Sequence, residues 1–270
     1  MSGRDSIQSR PADRGLAFRA MVPNAVTALA LCFGLTGVRF GIGQDWPAAV
    51  GCVVFAGVLD GMDGRIARLL RANSRFGAEL DSLSDVTAFG VAPSIILFLW
   101  SLNQAPHFGW VAALALAVCC ALRLARFNSQ MDADDQPHKS AGYLTGVPAP
   151  AGAGLAFVPV YLWLVTGLDI FRAWYVTMPW MIFIALLLIS SVATYSWSSL
   201  RIRRSSRLLA IAGIGLLGAA LVTSPWVTLL AISVIYVAML PFSIASYGQV
   251  RRRRAGAAAP ATSAGSEPAG

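Results

Sequence analysis

The sequence predicts an all-α, polytopic membrane bundle of about eight transmembrane helices with both termini in the cytoplasm. Apolar residues make up 56% of the 270 positions and charged residues 13%, with a mean hydropathy of +0.63, beyond the usual composition of a soluble domain. Eight segments approach the ~20 apolar residues that a bilayer requires. The 21 lysines and arginines collect almost wholly in alternate gaps between these segments, as the positive-inside rule demands.

Residues 1–20 carry Arg4, Arg10, Arg14 and Arg19 without an apolar core. They read as a cytoplasmic arm or juxtamembrane helix, not as a cleavable signal peptide. The first span, 22–42, opens on Pro23-Asn24-Ala25-Val26-Thr27, where Asn24 has the chemistry of a helix cap. Spans 46–68 and 77–101 enclose a basic turn containing Arg65, Arg68, Arg71 and Arg75. Span 108–127 leads through Arg123 and Arg126 into the longest polar gap, 128–144, with His138 and Lys139, which reads as a connector or a lid. Spans 145–167 and 173–195 follow, then Arg201, Arg203, Arg204 and Arg207, then spans 207–223 and 226–247 and the cluster Arg251 to Arg254. Only Arg39 and Arg172 fall in the opposite set of gaps. The tail 255–270 is rich in Ala, Pro, Gly and Ser and cannot bury a core. The chain thus divides into an arm (1–20), a membrane domain (21–250) and a basic cluster with a disordered tail (251–270).

Some function classes drop out early. The basic residues are interleaved with apolar spans and form no nucleic-acid recognition module. Cys32, Cys52, Cys119 and Cys120 lie inside spans without metal-site spacing, which predicts free thiols. His107 and His138 are the two histidines, and neither sits near a plausible Ser or Cys nucleophile in sequence, so a hydrolase triad has little support.

The informative stretch runs from Asp60 to Asp85. An ionised Asp in hydrocarbon costs about 2.5–3.5 kcal/mol on insertion scales and marks a functional site by default. Asp60, Asp63, Gly64, Ala67 and Arg68 follow i, i+3, i+4, i+7, i+8, and Gly77, Asp81 and Asp85 follow i, i+4, i+8. Two helix faces therefore carry two carboxylates each. Like charges so close cannot all stay ionised in a desolvated cleft without a cation. An all-oxygen donor set selects Mg²⁺, Mn²⁺ or Ca²⁺ over zinc, and a pair of such ions can clamp a phosphoryl displacement. Gly64, Ala67 and Gly77 remove bulk on the carboxylate faces, for a ligand or for close helix packing. Arg68 offers forked donors to phosphate oxygens.

The spacing D-x2-D-G-x2-A-R-x8-G-x3-D-x3-D resembles the signature of the CDP-alcohol phosphotransferases at every fixed position. The resemblance implies an integral membrane enzyme, a six-helix catalytic core here followed by two C-terminal spans, that displaces CMP from a CDP-linked lipid with an alcohol. It implies that Asp60, Asp63 and Asp81 bind two divalent metals, Mg²⁺ or Mn²⁺, and that Asp85 touches one metal and acts as the base. Gly64, Ala67, Arg68 and Gly77 are then expected to hold CDP. Asn24 and Thr27 match a P-N-x-x-T run of the family and are expected near the metal or pyrophosphate.

Two further runs, Ala121-Leu122-Arg123-Leu124-Ala125-Arg126-Phe127-Asn128 and Gly146-Val147-Pro148-Ala149-Pro150-Ala151, are similar to runs of the bacterial membrane-integral phosphatidylserine synthases. That resemblance implies CDP-diacylglycerol and serine as substrates, an inner-membrane location with the site facing the cytoplasm, and a homodimer. Arg123 or Arg126 is the expected holder of the serine carboxylate; either also reads as an interfacial anchor. Choline, glycerol 3-phosphate and inositol phosphate remain alternative acceptors, and a carboxylate-based ion transporter or an idle scaffold are the readings from other classes.

Overall fold

The computed structural model describes residues 11–70, 72, 74–105, 107–131, 143–145, 147–190, 193–195 and 207–239. The expectations for residues 1–10, for His138 and Lys139 in the polar gap, and for the 251–270 cluster and tail lie outside the described residues.

The first helix, α1 (Pro11–Ile42), is longer than the predicted first span because it begins N-terminal to the apolar stretch. Pro23 and Asn24 therefore sit inside a helix, and the reading of Asn24 as a helix cap is corrected. A helix can extend beyond its apolar stretch, so hydropathy marks the span and not the helix start. A turn with Gln44 at φ 61° leads to α2 (Trp46–Leu69). Asp45 caps it, accepting from the Ala48 N–H at 3.1 Å, and Pro47 occupies its first turn, where its missing N–H costs nothing. The α1–α2 hairpin is tight: a Cβ on Gly37 would lie 2.8 Å from the Ala49 carbonyl oxygen.

The predicted third span is a composite. Helix α3 (Arg75–Asp85) is capped by Ser74, whose Oγ accepts from the Gly77 N–H at 3.0 Å. A π-helical turn, Val86–Val91, follows, and α4 (Ala92–Trp100) completes a 26-residue span from Arg75 to Trp100. Helix α5 (Gly109–Met131) packs chiefly on α8 (Trp174–Ile189). The predicted fifth span is broken: α6 (Ala149–Ala156) and α7 (Val158–Thr166) meet at a 40° bend. Pro159 has no N–H to offer the Leu155 carbonyl four residues before it, which accepts instead from Trp180 Nε1 at 2.8 Å, and it opens the new helix in its first turn. Gly167, at φ 68°, ends α7 with a left-handed cap.

Residues at the predicted edges of the fifth and sixth spans leave the helical pattern. Tyr143–Thr145 (β1) pairs antiparallel with Ala193–Tyr195 (β2), Tyr143 facing Tyr195, so the fold is helical with one short two-stranded ladder. Helices α9 (Arg207–Thr223) and α10 (Pro225–Met239) follow. Trp226, Leu229, Tyr236 and Val237 of α10 pack against the core.

Among the described residues, four helices are long and apolar enough to cross a membrane, five with the bent α6–α7 pair. Leu29, Leu35, Val58, Val118 and Leu186 are large apolar side chains left exposed on their outer faces, as lipid-facing residues are. The chain is accordingly a multi-pass membrane protein. All four cysteines are free. At the end away from the aspartates, Arg172 donates from Nε to the Trp100 carbonyl at 3.0 Å and lies over the rings of Trp46 and Trp163, 5.8 and 5.9 Å from their centroids. Arg172 is thus tied into the packing.

Candidate active site

The C-terminal half of α2 and the whole of α3 carry the motif, and α1 holds the two together. Carboxylate oxygens of Asp60, Asp63 and Asp81 come within 4.8 Å of one another. Asp85, one turn beyond Asp81, brings its carboxyl within hydrogen-bond reach of Asp60. Both predicted faces therefore meet in one cluster, and the charged groups acting most strongly on Asp81 and Asp85 are the neighbouring carboxylates. An all-oxygen set of this kind suits a hard divalent cation.

Asp63 is 5% exposed and Thr27 6% exposed. Thr27 Oγ1 lies 2.7 Å from Asp63 Oδ2 and 3.1 Å from the Pro23 carbonyl oxygen. Its one proton belongs on the shorter, charge-assisted contact. Ser84 Oγ, on α3, donates to the Thr27 carbonyl at 3.2 Å. Asn24 also bridges toward α3, because a Cβ on Gly77 would stand 2.8 Å from Asn24 Oδ1. Gly77 is therefore small to admit Asn24.

Gly64 is a different case. No described atom lies within 4 Å of where its Cβ would be, so helix packing does not account for it. It is exposed, and beside it Arg68 donates from Nε to the Gly64 carbonyl at 3.0 Å. Ala67 is half-buried on the same stretch. The carboxylate cluster thus has one open face, bearing Gly64 and Arg68.

Asp60, Asp81 and Asp85 also line a cavity of about 700 Å³, whose wall further includes Arg75, Glu79, Ser82, Arg123, Phe127, Asn128, Pro148, Ala149 and Pro150. Arg123, Leu124, Phe127 and Asn128 of the run before the polar gap and Pro148, Ala149 and Pro150 of the run after it thereby meet at one wall. Asn128 Nδ2 donates to Ser82 Oγ at 2.8 Å, joining α5 to α3. Arg123 and Arg126 separate here. Arg126 donates to the Ile189 carbonyl at the end of α8, at 3.2 Å. Arg123 lines the cavity, with its Nε buried and without a partner among the described residues. Glu79, Ser82 and Ser84 are not among the expected site residues; all three lie inside the motif, at positions the spacing leaves variable.

A second, apolar cavity of about 300 Å³ lies between α2, α6, α7 and α10, and shares Pro150 with the first.

Comparison with known proteins gives the family of the chain. A family model described as CDP-alcohol phosphatidyltransferase matches residues 20–200, and a second, described as CDP-alcohol phosphatidyltransferase 2, matches 206–241. The chain is 36% identical over 236 residues to the CDP-diacylglycerol–serine O-phosphatidyltransferase of Mycobacterium leprae, covering 87% of this chain and 78% of that protein. It is 34% identical over 233 residues to the protein of the same description from Mycobacterium tuberculosis, covering 84% and 79%. A third of that description, from Bacillus subtilis, is 45% identical over 108 residues, 40% of this chain and 60% of its own length.

Proposed function

This chain belongs to the CDP-alcohol phosphatidyltransferase family, and we propose that it transfers the phosphatidyl group of CDP-diacylglycerol to L-serine, giving phosphatidylserine and CMP. The observation that carries the reading is the carboxylate cluster. Its open face, with Gly64 and Arg68, suits a nucleoside diphosphate, and the cavity along it joins Asp85 to Arg123, whose buried Nε has no partner among the described residues. The relatives named above carry the serine description.

Asp60, Asp63 and Asp81 would hold divalent metal, two ions of Mg²⁺ or Mn²⁺, with Asp85 reaching one of them. Bound there, the metal would neutralise the pyrophosphate and the departing CMP. Thr27 orients the Asp63 carboxylate by its hydrogen bond. Arg68, Gly64, Ala67 and Gly77, with Asn24 behind Gly77, take the CDP moiety, Gly64 by letting it approach the helix backbone. Arg123 holds the serine carboxylate, which sets the hydroxyl toward Asp85. Asp85 accepts the hydroxyl proton as the oxygen attacks phosphorus, and CMP leaves with the bonding electron pair. No covalent enzyme intermediate is required. Arg126, occupied at Ile189, serves the packing.

A choline acceptor calls for several aromatic faces around its ammonium, and Phe127 is the one aromatic residue on the described cavity wall. With this function go eight spans, a six-helix core followed by α9 and α10, cytoplasmic termini, an inner-membrane site facing the cytoplasm, the division at 1–20, 21–250 and 251–270, and a homodimer. Gly37 and Gly41 do not argue for the dimer, since both face residues of their own chain.

The test is CMP release from CDP-diacylglycerol by the purified protein in detergent, with serine, glycerol 3-phosphate, inositol phosphate or choline, each with Mg²⁺, Mn²⁺ or EDTA. Serine-dependent, EDTA-sensitive release is the expected result. Release with another acceptor would overturn the serine assignment alone, and no release with any acceptor from folded protein would overturn the activity.

A further inference from the structure

The hydrogen bond that joins α5 to α3 fixes a side chain as well as two helices. Ser82 Oγ donates its one proton to the Ala78 carbonyl at 3.0 Å. Toward Asn128 it therefore accepts, with Asn128 Nδ2 the donor at 2.8 Å. An asparagine amide takes its orientation from such a network. With its nitrogen on Ser82, the carboxamide of Asn128 keeps Oδ1 as an acceptor that no donor reaches among the described residues. Both side chains are half-buried and line the carboxylate cavity together with Asp85 and Arg123. Arg123, Leu124, Phe127 and Asn128 form one face of α5, at i, i+1, i+4 and i+5. From Arg123 to Asn128 the axis rises roughly 7.5 Å, a span that an arginine side chain and one small amino acid fill.

We propose that Asn128 is a specificity-determining residue, its Oδ1 accepting an N–H of the acceptor's ammonium group while Ser82 acts as the positioning residue that orients the amide. The inference rests on the serine reading above and deepens it, because it gives the second charged group of serine a partner. A neutral acceptor suits this place. A carboxylate there would compete with the carboxylate of serine for Arg123, whereas an amide oxygen takes an ammonium proton and leaves the arginine free. The acidic groups of the same wall have other work: Asp60 and Asp81 belong to the cation site and Asp85 to the hydroxyl proton, while Glu79 is exposed and one turn from Arg75 on α3. Asn128 would also discriminate among acceptors. The quaternary ammonium of choline has no N–H to donate, and glycerol 3-phosphate and inositol phosphate have no ammonium at all.

The test is steady-state CMP release by the full-length Asn128→Leu and Ser82→Ala proteins in detergent with CDP-diacylglycerol and Mg²⁺ or Mn²⁺. L-serine is the acceptor, and 3-hydroxypropionate, which keeps the hydroxyl and the carboxylate but has no ammonium, is the competitor. Loss of one hydrogen bond to a charged group should raise KM for L-serine about tenfold in Asn128→Leu, and by a smaller factor in Ser82→Ala, where the amide is present but unheld. The KM for CDP-diacylglycerol and kcat at saturating serine should stay near wild type, and the retained kcat shows the variants to be folded. On the wild-type protein 3-hydroxypropionate should compete with serine at about ten times the serine KM, and its inhibition constant should be the same in both variants. A residue that merely ties α5 to α3 would instead weaken serine and 3-hydroxypropionate alike. An unchanged serine KM in Asn128→Leu, an equal effect on the two molecules, no competition by 3-hydroxypropionate on the wild-type protein, or loss of activity at every serine concentration in both variants would each overturn the proposal. Failure of the wild-type protein itself to use serine would overturn the functional reading first, and this inference with it.

Discussion

Exchanging Gly64 for alanine separates stability from activity in a way the structure makes quantitative. In a helix interior glycine is about 0.8–1.0 kcal/mol less favourable than alanine. Because the new Cβ would meet no described atom within 4 Å, nothing in the fold offsets that gain, and Gly64→Ala should raise stability by about 1 kcal/mol, roughly 2 °C in Tm for a chain of this size. The same methyl group would stand on the open face of the cluster, where the nucleotide is proposed to lie against the backbone. Overpacking of this kind costs about 1–3 kcal/mol, so kcat/KM for CDP-diacylglycerol should fall about 5- to 150-fold. Gly77→Ala is the counterpart. Its Cβ would lie 2.8 Å from Asn24 Oδ1 and 3.1 Å from Ser74 Oγ, so it should lower Tm despite the same gain in propensity. Thermal unfolding followed by tryptophan fluorescence in detergent, together with CMP release, reads both quantities. A Gly64→Ala protein of wild-type kcat/KM would refute the ligand-approach argument, and one of lowered Tm would refute the open face itself.

Asp85→Asn keeps the shape of the side chain but cannot accept the hydroxyl proton, so kcat should drop about 10²- to 10⁴-fold while CDP-diacylglycerol still binds, as measured by equilibrium binding. Arg123→Lys should raise KM for serine about tenfold, because an ammonium cannot donate as a fork to a carboxylate; Arg126→Ala should leave that KM unchanged and lower Tm through its lost bond to Ile189, and the two KM values from CMP-release kinetics decide between them. Arg172→Leu removes the donor to Trp100 and the cation over Trp46 and Trp163, and should lower Tm while the activity of the protein that remains folded is unaltered.

The parts legible in the sequence were those with a local cause. Spacing alone put Asp60 with Asp63 and Asp81 with Asp85 on helix faces, and hydropathy placed α2 within a residue or two of its bounds. What escaped depends on contacts between distant segments or on the backbone. Hydropathy reports side chains and passes smoothly through Phe157, although Pro159 just beyond it breaks the helix. Asn24 looked like a cap because the apolar stretch starts there, but the helix had begun at Pro11, and its carboxamide instead sets the size limit at Gly77. Arg123 and Arg126 are chemically alike and three residues apart. Only the position of the last carbonyls of α8 shows which of them is already engaged.

Two amphipathic faces do not make a site until their mutual register is fixed, and here residues outside the motif fix it. Lipid tails are as apolar as leucine, so the hydrophobic effect does not press membrane helices together, and close packing through small residues must do so. The stripe of α3 that carries Asp81 and Asp85 continues through the π-helical turn as Ala88, Phe89, Ala92 and Ile96, all buried. Ala88 is met by Gly34 of α1, where a Cβ would lie 2.8 Å from the Ala88 Cα, and Gly90 is met by Cys120 of α5, where a Cβ would lie 3.1 Å from the cysteine Cβ. The carboxylates are therefore aimed by a helix that is clamped on two sides just beyond Asp85, by α1 at Ala88 and by α5 at Gly90, with Thr27 and Ser84 joining the lower end to α1. Gly34 and Gly90 consequently act on the cluster without touching it: a bulkier residue at either would push the α3–α4 span outward and carry Asp81 and Asp85 away from Asp60 and Asp63.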